Sequence, residues 1–92
     1  MDFDFQKYKI LFCDEDAEVL KFAQEVFENQ AVGQFIALHE PNHLLGQLPI
    51  LKPDLIVLSI KYKTLYGAEL VHKIRKLNDG DFFETPILMT LD

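Results

Sequence analysis

The chain is poor in cysteine, in basic residues and in long apolar runs, and each shortage excludes a class of protein. Its one cysteine, Cys13, has no partner for an internal disulfide, so a reducing compartment fits the sequence. The apolar runs reach only about five residues, whereas a membrane-spanning helix needs roughly 20. The first five residues (MDFDF) contain two acids and no basic residue, unlike the basic and apolar start of a signal peptide. We therefore predict a cytoplasmic protein that does not insert into membranes.

Basic residues are outnumbered by acidic ones, with nine Lys and Arg against fifteen Asp and Glu and a formal net charge of −6. Binding to nucleic acid draws on clustered Lys and Arg side chains that contact phosphates, so we expect no direct nucleic-acid binding. The other proportions, 49% hydrophobic and 26% charged residues, are typical of globular proteins. A length of 92 residues suits one domain that spans positions 1–92.

Apolar residues follow a strand pattern and a helix pattern in turn along the chain. Continuous apolar runs of strand length predict four strands, at residues 8–13, 34–38, 55–58 and 86–91. Helical spacing predicts three helices, at about residues 16–30, 42–48 and 65–77. Strands interleaved with helices indicate an α/β fold with a mostly parallel sheet and right-handed connections.

The residues expected to face the core follow from the same spacing. In the first helix, Asp16 is expected to cap the amino-terminal end. The inward face of this helix is predicted to be Val19, Phe22, Ala23, Val26 and Phe27. In the third helix it is predicted to be Leu70, Val71, Ile74 and Leu77. Pro49 and Pro53 are expected to bracket a loop before the third strand.

Polar residues follow two of the predicted strands directly. Asp14, Glu15 and Asp16 come after the first strand, and Ser59 follows the third. Because the carboxyl ends of neighbouring parallel strands meet at one crevice, these side chains are expected to share one pocket. The sequence thus predicts an acidic pocket that contains a hydroxyl group.

These features resemble the receiver domain of response regulators, the proteins of two-component signal transduction. The resemblance runs from residue 8 to residue 91 and includes the acidic strand end at 10–16 (ILFCDED). Its most specific part is the spacing from Pro53, in KPDLIVL, to Gly67; a third match is TPILMT at 85–90. The resemblance implies a flavodoxin-like (CheY-like) parallel sheet of strand order 2-1-3-4, here lacking the fifth strand and the last helix.

In that family an acidic pair holds a divalent cation, and Asp14 and Glu15 occupy the corresponding positions. Ser59 stands where the family has its phosphate-accepting aspartate. Lys63 and Tyr66 replace a usual proline and a usual acid. The hydroxyl position at the end of the fourth strand falls on Leu91, with Thr90 one residue earlier. The sequence also ends, at Asp92, before the lysine of the family's fifth strand.

The substitution at Ser59 argues against the family's phosphorylation chemistry. Transfer of a phosphoryl group to a receiver needs a carboxylate nucleophile and a metal ion that neutralises the moving charge. A serine hydroxyl needs an activating base, and removal of one carboxylate leaves magnesium at most weakly held by Asp14 and Glu15. We therefore predict an atypical, degenerate receiver (a pseudo-receiver) that forms no aspartyl phosphate and is not an enzyme.

Three functions compete at this stage. The leading one is a phosphorylation-independent interaction and regulatory module for a protein partner or an attached output domain. The alternative is a switch that responds to a cation or ligand through the residual acidic pocket. In a variant of the first, Lys61 or Lys63 places its ammonium over Asp14 and Glu15 in place of the metal. A small enzyme ranks last, because the chain has no glycine-rich phosphate loop and no nucleophile–base pair.

Two further patterns bear on partners and on chemistry. The fourth strand is expected to form an apolar sheet edge, which favours self-association or pairing with another chain unless the protein continues past Asp92. We expect continuation, with this chain as the amino-terminal part of a longer protein. The pattern His39-Glu40-Pro41-Asn42-His43 matches a zinc-protease motif, but Pro41 interrupts the helix that this motif requires.

Overall fold

A computed structural model describes residues 8–29, 33–77 and 85–91. Within these ranges a four-stranded sheet has the order β2-β1-β3-β4, and all three strand pairs are parallel. The strands are β1 (Lys9–Cys13), β2 (Gln34–Leu38), β3 (Leu55–Ser59) and β4 (Ile87–Thr90). The helices are α1 (Ala17–Asn29), α2 (Leu44–Leu51) and α3 (Gly67–Arg75), and a 3-10 turn (Pro41–His43) leads into α2. The predicted α/β fold class and strand order are confirmed.

The sheet separates two apolar clusters, because successive residues of a strand face opposite sides. One cluster, with α2 and α3, is built on Leu11, Ile56 and Leu58 of the central strands. The other, with α1, contains Ile10, Phe12 and Val57. Since β1 and β3 contribute to both clusters, they are apolar from Ile10 to Cys13 and from Leu55 to Leu58, as the continuous apolar runs predict.

The inward face of α1 differs from the predicted one. Leu20 and Ala23 are buried, and Phe27 is half-buried and stacks on Phe35 with ring centroids 5.4 Å apart. Three residues predicted to face inward are exposed instead: Val19, Phe22 and Val26. The helix carries two adjacent apolar strips, and the sheet buries only one of them.

The prediction for α3 is confirmed on its inward face. Leu70 and Ile74 are buried, and Val71 and Leu77 pack partly buried against the same cluster. The helix itself is shorter than predicted and ends at Arg75.

The prediction that Pro49 begins a loop is wrong, because this residue lies inside α2. Leu44 and Leu48 are fully buried, and their burial offsets the backbone hydrogen bond that a proline removes from a helix. The helix ends at Lys52, which adopts a left-handed conformation (φ 48°) and donates its N–H to the carbonyl of Leu48 at 2.9 Å.

The sequence Asn78-Asp79-Gly80 also predicts a turn, and Phe82-Phe83 is either a contact for a partner or packed locally; both segments lie outside the described residues. In the part of the chain that is described, each helix is too short or too polar to cross a bilayer. The zinc-protease pattern is not helical throughout, because His39 and Glu40 precede the 3-10 turn that contains His43.

Candidate functional site

The carboxyl ends of β1 and β3 form the floor of an open cavity of about 520 Å³. The register pairs Cys13 with Leu58, so the residues that follow these two strands lie side by side. The predicted pocket therefore exists, and it brings together the acidic residues and the serine. Its lining residues are Asp14, Glu15, Asp16, Val19, Ser59, Lys61, Tyr62 and Lys63.

Two of the acids organise the start of α1. Asp14 is buried, and its Oδ1 accepts a hydrogen bond from the N–H of Asp16 at 2.8 Å. Asp16 Oδ1 in turn accepts from the N–H of Glu18 at 2.9 Å, so Asp16 caps the helix as the sequence predicts. Part of the cavity's negative charge is thus already engaged by backbone donors of the chain itself.

Glu15 connects the two sides of the cavity. Its Oε1 accepts a hydrogen bond from the backbone N–H of Lys63 at 2.7 Å. The Lys61 ammonium lies 6.0 Å from the centroid of the Tyr66 ring, a cation–π arrangement. The predicted neutralisation of the acids by Lys61 or Lys63 stays a prediction, since the contact observed for Lys63 is made by its main chain.

Ser59 is the last residue of β3 and is buried. Its hydroxyl donates to the carbonyl oxygen of Lys61 at 2.9 Å, and the N–H of Lys61 lies 3.4 Å from the same hydroxyl oxygen. The serine therefore closes a local turn with the loop that follows it.

Tyr62 is the residue of this site that sequence reasoning missed. Its side chain is buried, and its hydroxyl donates to the carbonyl of Cys13 at 2.7 Å and accepts from the N–H of Ser59 at 2.9 Å. One phenol thereby joins β1, β3 and the loop after β3. An aromatic residue with a polar tip just after a buried strand was the available signal, because such side chains enter the core only where the hydroxyl finds a partner.

The loop between β3 and α3 is closed by further backbone hydrogen bonds. The N–H of Tyr62 donates to the carbonyl of Leu65 at 2.8 Å, and the N–H of Gly67 donates to that of Ile60 at 2.9 Å. Gly67 lies directly against the carbonyl oxygen of Ser59, at a place where a Cβ atom would overlap that oxygen. A residue without a side chain is therefore required where α3 begins.

Thr90, and not Leu91, is in register with Ser59. The Thr90 hydroxyl lies 3.4 Å from the carbonyl of Leu58, and the Thr90 carbonyl accepts from the N–H of Ile60 at 3.0 Å. Leu91 follows the end of β4 and is 81% exposed. The assignment of the family's hydroxyl position to Leu91, with Thr90 one residue earlier, stays a prediction.

The donor set fits a magnesium ion poorly. Asp14 and Glu15 each use one carboxylate oxygen to accept a backbone N–H, whereas magnesium prefers near-ideal octahedral coordination by oxygen. Among the described residues, no group of three or more His, Cys, Asp or Glu side chains lies close enough together to hold a metal. That Asp14 and Glu15 hold magnesium at most weakly, if at all, stays a prediction.

The buried polar groups beneath the cavity predict a loss of stability at high pH. Burial raises the pKa of the Cys13 thiol from an ordinary value near 9.0 to about 11, and burial likewise raises the pKa of Tyr62 above its usual range. Both groups ionise more readily in the unfolded chain. The stability that Cys13 contributes is therefore present below pH 9 and is lost as the pH rises through about 11. The loss due to Tyr62 begins only near its ordinary pKa of 10.0.

We expect the free energy of unfolding, measured by urea titration, to fall by roughly 2 kcal/mol between pH 8 and pH 10.5 from the Cys13 shift alone, at about 1.4 kcal/mol per pKa unit. Cys13→Ala should flatten this slope, although a smaller decline due to Tyr62 should persist. An unchanged slope in that variant would contradict the assignment to Cys13.

Three solved structures share this arrangement of strands and helices. The amino-terminal domain of a response regulator receiver protein from Methanoculleus marisnigri JR1 superposes with a TM-score of 0.79 at 23% sequence identity, over 90% of this chain. A chemotaxis response regulator of the CheY type from Vibrio cholerae gives a TM-score of 0.79 at 18% identity, over 89% of this chain. The chain has a receiver-domain fold.

A third structure with the same fold, the bacteriophytochrome response regulator RtBRR, gives a TM-score of 0.71 at 18% identity over 89% of this chain. The chain spans 65%, 66% and 54% of the length of these three structures, respectively. No protein-family profile and no curated protein sequence matches it. The likeness at these identities concerns the receiver-domain fold, and function has to be argued from the site.

Proposed function

We propose that this chain is a pseudo-receiver, a protein–protein interaction and regulatory module of a signalling or localisation assembly that works without phosphorylation. One observation carries the proposal: the buried hydroxyl of Ser59 donates to the backbone carbonyl of Lys61. A backbone carbonyl orients the hydroxyl but cannot take its proton as a general base does. Ser59, the residue at the acceptor position, thereby serves as a structural hydrogen-bond donor.

The remaining chemistry of the cavity supports the same conclusion. Histidine, the commonest general base, is not among the residues that line it. Carboxylates are weak bases for a serine hydroxyl. The carboxylates of Asp14 and Glu15 also accept hydrogen bonds from backbone N–H groups, and these bonds weaken the binding of a magnesium ion by the same carboxylates. A receiver that cannot be phosphorylated acts through surfaces that are always presented.

The contacts that the loop after β3 makes with both strand ends also favour a module with one state. A switch requires an element with two conformations, and a ligand changes their relative populations. Here the Tyr62 hydroxyl and the carboxylate of Glu15 hold the loop to the strand ends. β4 lies at an edge of the described sheet and offers unpaired backbone groups to a second strand, so self-association through this edge is part of the proposal.

The test is an amide NMR titration with magnesium, followed by magnesium with beryllofluoride as a phosphoryl analogue. We expect the signals of Asp14, Glu15 and Ser59 to stay in place. A receiver domain that retains its aspartate serves as the positive control for the reagents. Shifts centred on those three residues would overturn the proposal and favour the switch that responds to a cation or ligand.

A matched variant, Ser59→Asp, tests whether the missing carboxylate is the cause. The new carboxylate would be buried beside Asp14, so like-charge repulsion should lower the melting temperature in the absence of metal. Magnesium should restore part of this loss, because a ligand that binds only the folded state stabilises it. Equal magnesium responses of this variant and the unsubstituted chain would contradict the assigned role of Ser59.

A further inference from the structure

One hydrogen bond links the acidic side of the cavity to the loop after β3. Oε1 of the half-buried Glu15 accepts from the main-chain N–H of Lys63 at 2.7 Å, across 48 positions of the chain. The acceptor is an ionised carboxylate, and such a hydrogen bond is roughly twice as strong as one between neutral groups. The contact therefore holds the Glu15 side chain in one direction.

The loop that supplies this donor is closed by a bond of its own. The N–H of Tyr62 donates to the carbonyl of Leu65 at 2.8 Å, and Lys63 lies between these two residues. The N–H of Lys63 donates outside the loop, to Glu15. The loop therefore does not need this N–H for its own turn, and the bond serves the contact with the cavity.

The other charged groups of the cavity do not provide the same link. Asp14 also accepts a backbone N–H, but its donor, Asp16, is two residues away and belongs to the start of α1. Lys61 and Lys63 line the cavity as well, and their positive charges oppose a bound cation independently of the N–H. A test of the N–H therefore has to keep the number of ammonium groups constant.

A magnesium ion and the N–H of Lys63 need the same carboxylate. Magnesium requires its oxygen ligands in a near-ideal octahedron. The Glu15 carboxylate has one oxygen on the N–H of Lys63 and a direction set by that bond, so the ion obtains this geometry only after the bond breaks. The bond and the ion therefore exclude each other, and each lowers the affinity for the other by the same factor.

Resting on the proposed constitutive role, we infer that the N–H of Lys63 is a built-in competitor for divalent cations at Glu15. The chain supplies its own partner for this carboxylate, and the same bond holds the loop after β3 to the segment after β1. The surface that the loop forms therefore stays the same when the magnesium concentration changes. A main-chain contact thus opposes cation binding in addition to the absence of a carboxylate at Ser59.

Two substitutions at one position separate the N–H from the ammonium. Lys63→Pro deletes both, whereas Lys63→Ala deletes the ammonium and keeps the N–H, so the difference between these variants isolates the N–H. Proline suits this position, because Lys63 is the first of the two residues between Tyr62 and Leu65 and its φ is not positive. Both changes are made in Ser59→Asp, which supplies an additional carboxylate and thereby a measurable affinity for magnesium.

We expect magnesium to bind the proline variant at least about tenfold more tightly than the alanine variant, the factor that corresponds to one hydrogen bond to a charged group. Magnesium chloride is titrated into each isotope-labelled protein, and the affinity is read from the amide signal of Glu15. Equal affinities, or no binding by the proline variant, would overturn the inference. The proposed function is tested on the unsubstituted chain with beryllofluoride, so each proposal can fail alone.

A second measurement needs no change at position 63 and is independent of how the proline variant folds. In Ser59→Asp, magnesium should move the amide proton signal of Lys63 upfield and raise its hydrogen-exchange rate, because the ion displaces the bond to Glu15. The amide of Gly67, which donates to the carbonyl of Ile60, is the internal control and should keep its exchange rate. A Lys63 signal that stays in place, whether or not the Glu15 signal moves, would overturn the inference.

Discussion

Replacing Gly67 by alanine is expected to destabilise the protein by about 3 kcal/mol or more, the upper end of the range for overpacked sites. An added Cβ would overlap the carbonyl oxygen of Ser59 and would lie 2.6 Å from Cε of Met89. The methionine side chain can rotate away, but the carbonyl belongs to a buried strand paired with β4 and cannot move without disturbing the sheet. A stability loss of this size is a large fraction of the 5–15 kcal/mol typical of a domain.

Gly46→Ala provides the matched control, since it is the same substitution in another helix. A Cβ at Gly46 meets nothing within 4 Å, and the residue is exposed within α2. Because alanine is favoured over glycine in helices, this variant should be unchanged or more stable by up to about 1 kcal/mol. Urea denaturation of both variants measures the difference. Similar free energies of unfolding would contradict the close approach of α3 to the end of β3.

Replacing Tyr62 by phenylalanine is expected to cost about 2–4 kcal/mol, since each buried group left without a hydrogen-bond partner costs about 1–3 kcal/mol. The ring is retained, so packing changes little. The carbonyl of Cys13 and the N–H of Ser59, however, both lose the hydroxyl that they contact at 2.7 and 2.9 Å. The loop after β3 should become more mobile, which faster amide exchange at residues 60–66 would report.

Tyr66→Phe is the control for this substitution, because it removes the same atom from a side chain that is mostly exposed. Water replaces the lost contacts of an exposed hydroxyl, so the change in stability should stay within about 0.5 kcal/mol. Equal losses in the two variants, measured by urea denaturation at pH 7, would contradict the bridging role of Tyr62. A change in the denaturant slope would indicate that the unfolded state had changed instead.

Both substitutions act on the segment that connects β3 to α3, and this segment determines what the cavity can do. Gly67 allows α3 to lie against the carbonyl of Ser59, and the buried Tyr62 hydroxyl binds the N–H of Ser59. The carboxylate of Glu15 binds the loop on the other side, where it accepts a hydrogen bond from the N–H of Lys63. Three separate contacts thus hold this wall of the cavity, which agrees with the proposed constitutive role.

The alternation of strand and helix patterns along the chain was sufficient to predict a mostly parallel sheet. Continuous apolar runs located all four strands, because β1 and β3 are covered on both faces and have no polar side to show. The position of Ser59 and of the acids Asp14 and Glu15 at one edge followed from the parallel arrangement. These are local properties of the chain combined with one general rule of sheet geometry.

Other features depended on contacts between distant segments. In α1 the sequence has two apolar strips, and propensity alone does not distinguish the one that meets the sheet. Pro49 reads as a helix terminator, yet the burial of Leu44 and Leu48 keeps α2 intact around it. The pairing of Thr90 with Ser59 is a matter of register, which the match between Ile56 and Ile87 determines and no single strand reveals.

The sequence by itself determined the α/β class and the absence of a carboxylate at Ser59, because both depend on residue type and on spacing along the chain, whereas the strand order was implied by the resemblance to receiver domains. Only the tertiary structure decided that Tyr62 joins Cys13 to Ser59, two residues that are 46 positions apart in the chain. It alone decided that, within the described residues, α1 buries Leu20 and Ala23 and leaves Val19, Phe22 and Val26 exposed. Hydrogen bonds across such separations, and the choice of which apolar face is buried, exist only once the strands have paired and the helices have packed on them.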